Sequence, residues 1–414
     1  MILGAKSFRP LIRALDLHDN ENWKGWNDVS FHGSDQILTP NIDTLAYQGV
    51  ILQQYYSEAI CTPARTALLT GKYPMRLGMH GSPLFNSEDR GIPLTERLLP
   101  SYLKELGYST HLVGKWHVGM SREEFLPTSR GYESHYGMRG GFIDYYTYTN
   151  IEMWPSGRQM LGLDLFDNGI PQNHEERYIV DALTDRAVKK IVTHVDQSIG
   201  RIVVALAEKG ILDDTIIVFA SDNGSPTVGR LQNWGSNLPF RGTKWSPWEG
   251  GVRVPAFLWH SSLSPRVWNG LMHITDWLPT LVAAAGGKVT KSIDGVNQWD
   301  AILQDGESKR KEVLIALEDS NANMYAAYRA GDYKVIVGNV TGLNNNVYGT
   351  ELLINKFAPP PYFSTLKSCE VAQMFEYTGR YLDFDVVQNM RQAATVKQID
   401  EIKDATLCIP SLSK

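Results

Sequence analysis

Cys61, in the run Cys61-Thr62-Pro63-Ala64-Arg65, has neighbours that could turn a thiol into reaction chemistry. Thr62 reads as a helix N-cap, Pro63 suits the first helical position, Ala67, Leu68 and Leu69 give one buried side, and Gly71 closes the helix. Cys61 is therefore predicted just before a helix N-terminus, where unpaired amides and the helix dipole favour an anion. Arg65, one turn on, brings a bidentate cation to the same region, so the segment is suited to holding a sulfate or phosphate group. A lone cysteine at a helix start is otherwise an ordinary buried thiol.

Three further segments carry reactive types. Lys115 and His117, in GKWH, follow an apolar strand pattern and project from its carboxyl end, where open α/β sheets place their sites. Lysine offers a point charge for an anion and histidine can hold or move a proton, although His117 taken alone is more readily a surface or packing histidine. Asp222 and Asn223 come directly after the apolar run TIIVFAS and supply two hard oxygen ligands suited to calcium, where Asp-Asn-Gly alone would be a turn. Asn223-Gly224-Ser225 also fits a glycosylation sequon, but Asn339-Val340-Thr341 is the better acceptor. Lys244 lies in RGTKWSPWEGG, beside Arg241, Trp245 and Trp248.

The elements that must position these residues alternate. Tyr108 to Gly114, Ile199 to Lys209 and Thr215 to Ala220 exemplify short β-rich runs between helical patterns, which predicts an α/β fold with a mostly parallel, buried sheet. The 414 residues, 43% hydrophobic and 21% charged, suffice for one large domain and a smaller one. Past Gly306 the pattern changes, with GDYKVIVG, an Asn-rich turn at Asn344 to Asn346 and prolines at Pro359 to Pro361, predicting a small antiparallel sheet with a helix. The division is an N-terminal segment 1–20, a catalytic domain 21–305 and a C-terminal subdomain 306–414. A net charge of -5 without long single-sign runs gives no support for a nucleic-acid surface. No apolar stretch reaches the roughly 18 residues of a membrane span, and the first twenty residues lack an export signal's apolar core. Three cysteines make no disulfide framework, though Cys369 and Cys408 are available to each other.

The pentad with the downstream TGKYP resembles the signature of formylglycine-dependent sulfatases, in their arylsulfatase B-like group, which also holds arylsulfatases I and J. The resemblance extends through GWNDVSFHGSDQILTPNIDTLAYQGV, LLPSYLKELGYSTHLVGKWHVGM, LPTSRGYESHYG, SDNG, NLPFRGTKWSPWEGGVRVP and HITDWLPTL. It implies an alkaline-phosphatase-like fold, a large mostly parallel sheet between helices, and hydrolysis of sulfate esters such as N-acetylgalactosamine 4-sulfate. It implies that a formylglycine-generating enzyme oxidises Cys61, whose hydrated aldehyde attacks sulfur and later expels sulfate. It assigns catalytic roles to Arg65, Lys115 and His117, sulfate binding to Lys244, and one calcium ion to Asp222, Asn223 and the group derived from Cys61. Arg241, Trp245 and Trp248 would pack or stabilise their loop. The substrate would be a sulfated small molecule or a glycosaminoglycan end, in a lysosome or outside the cell.

Two segments depart from the family pattern. Before Gly25 the family has an apolar strand ending in two calcium-binding aspartates, whereas this chain reads Asn22-Trp23-Lys24 after RALDLHDNE, which does not look like a buried strand. Near Ile191, TDRAVKKI runs directly into VTHVDQSIGRIV, and the strand and active-site histidine the family places between them are missing; His194 follows the helical pattern and does not replace that histidine. A catalytically impaired sulfatase-like protein or truncated isoform is thus the alternative reading. A phosphatase on the same fold is disfavoured, because it would use Ser or Thr where Cys61 stands and usually two metals.

Overall fold

The computed structural model describes residues 2–3, 11–16, 25–34, 38–153, 159–173, 177–188, 195–226, 235–320, 323–338 and 375–376. Asn22, Trp23, Lys24, His194, Asn339, the turn at Asn344 to Asn346, Pro359 to Pro361, Cys369 and Cys408 lie outside the described residues.

Ten strands form the main sheet, in the spatial order Arg266–His273, Val50–Tyr56, Ala256–Trp259, Ile216–Ala220, Ile2–Leu3, Leu11–Asp16, Ser109–Gly114, Ser134–Gly137, Phe166–Asp167 and Ile170–Pro171. Following the pairings across the sheet, seven of these strands point one way and only Ala256–Trp259, Ile2–Leu3 and Phe166–Asp167 point the other. Strand direction is mostly parallel as expected, but the three short reversed strands make the sheet mixed. One reversal is local: Asn168 and Gly169, both at positive φ, make the tight turn that folds Phe166–Asp167 onto Ile170–Pro171.

Leu11–Asp16 corrects the reading of the N-terminal segment. It forms an interior strand, in parallel register from Leu11 opposite Ser109 to Asp16 opposite Gly114. The polar residues of RALDLHDNE hid it, since pattern reading expects an all-apolar run in a strand with neighbours on both edges.

Side-chain alternation sorts the strands' residues into two layers. Val50, Leu52, Ile216, Val218, Ala256 and Leu258 join a core with the helices Cys61–Thr70, Leu99–Glu105 and Trp277–Ala284. Ile51, Ile217, Phe257 and Trp259 face the opposite way, toward the helices Pro40–Gln48 and Val195–Glu208. The sheet is therefore covered on both faces, which accounts for its continuous apolar runs.

The expected C-terminal sheet is present: Glu312–Ser320, Asn323–Ala330, Tyr333–Gly338 and Phe375–Glu376 pair antiparallel in that order. No helix accompanies it among the described residues. Val313, Ile315, Tyr325, Ala327 and Ile336 of this sheet pack in one cluster with Ala59, Ile60 and Cys61, so it buttresses the cysteine's own segment.

Arg310 ties the approach to this sheet to the main body. Its Nε and Nη2 donate to the Asp276 carboxylate at 2.8 and 2.5 Å, and Nη2 also donates to the Asp294 carbonyl at 2.9 Å. Both partners are buried, so removing one strands the other's charge. Arg310→Met is expected to cost about 3–5 kcal/mol of stability. The measurement is the urea midpoint at unchanged m-value; a shift below about 1 kcal/mol, the range of an exposed pair, would contradict it.

Candidate active site

Strand direction explains how distant residues meet. Val50–Tyr56, Ser109–Gly114 and Ile216–Ala220 all run one way, and the chain beyond each carboxyl end carries Cys61, Lys115 with His117, and Asp222 with Asn223. This is the edge of an α/β sheet where loops converge on a site.

The helix begins at Cys61, two residues earlier than its sequence suggests, with Ile60 as the extended cap at φ -147° and ψ 151°. Thr62 does not cap it. Its hydroxyl donates to the His117 carbonyl at 3.0 Å and accepts from the Leu84 amide at 3.1 Å, stitching two loops together. Pro63 sits in the first turn, where a missing N–H costs nothing, and Gly71 closes the helix at φ 66°. Every residue from Cys61 to Ala67 is buried, so the helix is enclosed on all sides where one buried side was expected.

Two lysines act on the buried Cys61, and Arg65 lies among the same groups. Lys244 Nζ lies 4.0 Å from its Sγ. Arg65 donates through Nη1 to the Lys115 carbonyl at 2.8 Å and through Nη2 to Asp222 Oδ2 at 3.2 Å. Burial pushes the Cys61 thiol up, but Lys115, Lys244 and His117 outweigh it and hold the thiol well below its usual range. Lys244 is pulled down to about 7, chiefly by burial, with Cys61 opposing the shift and Lys115 adding to it. The surroundings thus favour a negative group at Cys61.

His117 is held with little freedom. Its backbone sits at φ 57°, its amide donates to the Arg139 carbonyl at 3.0 Å, and its Nε2 pairs with the Leu84 carbonyl at 2.9 Å. A carbonyl only accepts, so Nε2 carries a proton, and Nδ1 is the other, buried ring nitrogen. A Cβ added at Gly141 would lie 2.5 Å from the ring's Cε1, so the absence of a side chain there leaves room for the imidazole. Gly141→Ala is expected to displace the ring and lower kcat/KM about 10-fold to 100-fold, with the melting temperature nearly unchanged. Unaltered kinetics would show that the ring's position is immaterial.

Asp222 and Asn223 are fixed by their backbone. The Asp222 carbonyl accepts from the Ser57 hydroxyl, and the Asn223 carbonyl accepts from Ser221 Oγ at 2.8 Å. Asn237 Oδ1 accepts from the Ser225 amide while its Nδ2 donates to the Ser225 and Gly242 carbonyls, which joins this loop to the one carrying Lys244. Asn223 is fully buried, its Nδ2 donates to the Gly224 carbonyl, and its Oδ1 has no hydrogen-bond partner among the described residues. A buried amide oxygen left in that state suits a hard cation. Burial also removes Asn223 as a glycosylation acceptor.

Contacts or charge coupling thus join Cys61, Arg65, Lys115, His117, Asp222 and Lys244, while Asn223 enters by adjacency to Asp222. Glu58, three residues before Cys61, was not anticipated. Burial pushes its carboxyl up to about 8, and its Oε1 faces His273 Nε2 at 3.9 Å.

A family model described as Sulfatase matches residues 21–193 and 189–287, more than half of the chain. The chain belongs to the sulfatase family. The two matched pieces meet at 189–193, the place at which the sequence lacks a family segment. Arylsulfatase J of Mus musculus is 34% identical over 345 residues, covering 70% of this chain and 56% of that protein. Arylsulfatase A of Homo sapiens is 28% identical, covering 75% and 72%, and human N-acetylgalactosamine-6-sulfatase is 29% identical, covering 68% and 64%. The chain therefore spans little more than half the length of the arylsulfatase J relative. Among solved structures, the PsFucS1 sulfatase from Pseudoalteromonas sp. superimposes with a TM-score of 0.61 at 27% identity, covering 78% of this chain and 76% of that one. Ps i-CgsB in complex with k-i-k-neocarrahexaose gives 0.69 at 24% identity, covering 92% and 97%, a likeness of fold.

Proposed function

We propose that this chain is a sulfuric ester hydrolase whose nucleophile derives from Cys61. The observation that carries this reading is the setting of Cys61, at the first position of a buried helix, among Lys115, Lys244 and His117, with Arg65 bridging the Lys115 carbonyl to Asp222 beside them. Lysines buried beside one small group suit an anionic ligand, and a sulfate ester presents its charge as compact oxygens.

Sγ marks the place of the oxygen that a formylglycine would carry. Formylglycine at this position would supply a hydrated aldehyde as oxygen nucleophile. Lys244 and Lys115 stabilise charge on the ester's sulfate oxygens, and Arg65 orients Asp222 while adding its own charge. His117 Nδ1 takes or returns a proton at the nucleophile, with the ring's orientation fixed through Nε2.

Asp222 and Asn223 would hold calcium, which when bound adds positive charge next to the sulfate oxygens. The unpartnered Asn223 Oδ1 supports this assignment. Among the described residues no group of three His, Cys, Asp or Glu side chains completes a metal site, so these two supply part of a six-to-eight-oxygen shell.

The substrate class we propose is a sulfated sugar, such as N-acetylgalactosamine 4-sulfate or a glycosaminoglycan end. A lysosomal or extracellular setting and processing by a formylglycine-generating enzyme go with this reading. So does a catalytic unit of 21–305 with a subdomain 306–414. No described helix is long and apolar enough to cross a membrane.

Turnover of a fluorogenic aryl sulfate, with calcium and after chelation, tests the proposal. Turnover that falls on chelation is expected. Cys61 converted to the aldehyde with no turnover under either condition would favour the catalytically impaired reading.

A further inference from the structure

The cations account for the sulfate end of a substrate and leave its alcohol unassigned. Two aromatic residues stand beside the buried lysines. Phe142 and Trp245 are both partly exposed, and both pack against the cluster that contains the buried Cys61. The Lys115 ammonium is 5.9 Å from the Phe142 ring centroid, and the Lys244 ammonium is 5.8 Å from that of Trp245. Each ring thus links one buried cation to the surface.

Trp245 shows a second, independent sign of function. Its φ is 78°, a conformation that bulky side chains rarely adopt and that persists only where the surroundings enforce it. Its amide donates to the Ala59 carbonyl at 3.0 Å, which fixes the ring relative to the chain two residues before Cys61. Trp248, three residues on, provides the contrast. It is 8% exposed and lies under the Arg241 guanidinium at 4.1 Å, a packing role. Phe142 follows Gly141, whose missing side chain accommodates His117, so one short segment borders both the histidine and the proposed alcohol position.

We propose that Phe142 and Trp245 hold the alcohol half of the ester, and that this site selects sulfate esters whose alcohol is a ring with an apolar face. This rests on the sulfatase reading of the Cys61 site. A pyranose face and an aryl ring share the required chemistry, since both present C–H or π surface to an aromatic ring while the sulfate points inward. A linear alkyl sulfate offers the same anion without that face.

The test is binding, in a Cys61→Ala background so that bound ester is not consumed. Calorimetric Kd values are measured for 4-methylumbelliferyl sulfate, N-acetylgalactosamine 4-sulfate, a short alkyl sulfate and inorganic sulfate, each with Trp245→Ala, Phe142→Ala and Trp245→Phe added. Trp245→Ala and Phe142→Ala are each expected to weaken at least one ring ester about 10-fold. Inorganic and alkyl sulfate should stay within about twofold, and Trp245→Phe should recover most of the loss. The relative losses of the two ring esters tell a sugar from an aryl alcohol. Equal losses for ring esters and inorganic sulfate in both alanine variants, or no loss for either ring ester, would overturn the proposal. Its failure stays separate from failure of the activity itself, which is read in the unsubstituted protein by turnover.

Discussion

Cys61→Ala is expected to lower kcat/KM for an aryl sulfate on the order of 10⁴-fold or more, because loss of a covalent nucleophile removes the reaction path itself. The fold should survive, since the substitution deletes one sulfur from a helix whose backbone Ile60 and Gly71 delimit. The electrostatics should respond in a defined way. In the unconverted thiol form Cys61 is the group that most strongly raises Lys244 against its burial, so Cys61→Ala lowers the lysine's pKa relative to that form. A variant that keeps a tenth of the activity would place the nucleophile elsewhere.

Lys244→Met is expected to cost about 10²-fold to 10³-fold in kcat/KM, the usual loss for one preorganised charge donor in a dry site. Its pH dependence makes the test specific. With its pKa lowered to about 7, Lys244 loses its charge as pH rises through that value, so kcat/KM in the unsubstituted protein should fall on the alkaline side. That limb should disappear in Lys244→Met. Stability runs the opposite way: the depressed folded pKa means the unfolded chain binds more protons between about 7 and the ordinary lysine value. Folding should therefore strengthen as pH rises across that window, and Lys244→Met should flatten the slope. A kcat/KM within about threefold of the parent would remove Lys244 from the site.

The sequence made the reactive residues legible because each sits in a short run whose neighbours repeat the message. Cys61 precedes Pro63 and Arg65, Lys115 and His117 end a strand pattern, and Asp222 and Asn223 end another. Local patterns were less able to show what the side chains touch. Thr62 looked like a cap, but its hydroxyl serves Leu84 and His117, residues far along the chain. Leu11–Asp16 escaped notice because charges interrupt it, and its place is set by pairing with Ser109–Gly114. Trp245 was grouped with Trp248 as loop packing, and only its positive φ and its exposure separate the two. Gly141 carries no chemistry of its own, and its role is visible only as room for the His117 ring.

The central claim is that Cys61 is the precursor of the nucleophile, and the mass of the peptide ending at Arg65 tests it most directly. The protein is expressed in cells that contain a formylglycine-generating enzyme, digested, and compared with Pro63→Ala and Arg65→Ala variants. A peptide carrying an aldehyde at Cys61 in the parent, with little conversion in the variants, is the expected result. An unmodified thiol at Cys61, in a preparation that nonetheless hydrolyses aryl sulfates, would contradict it.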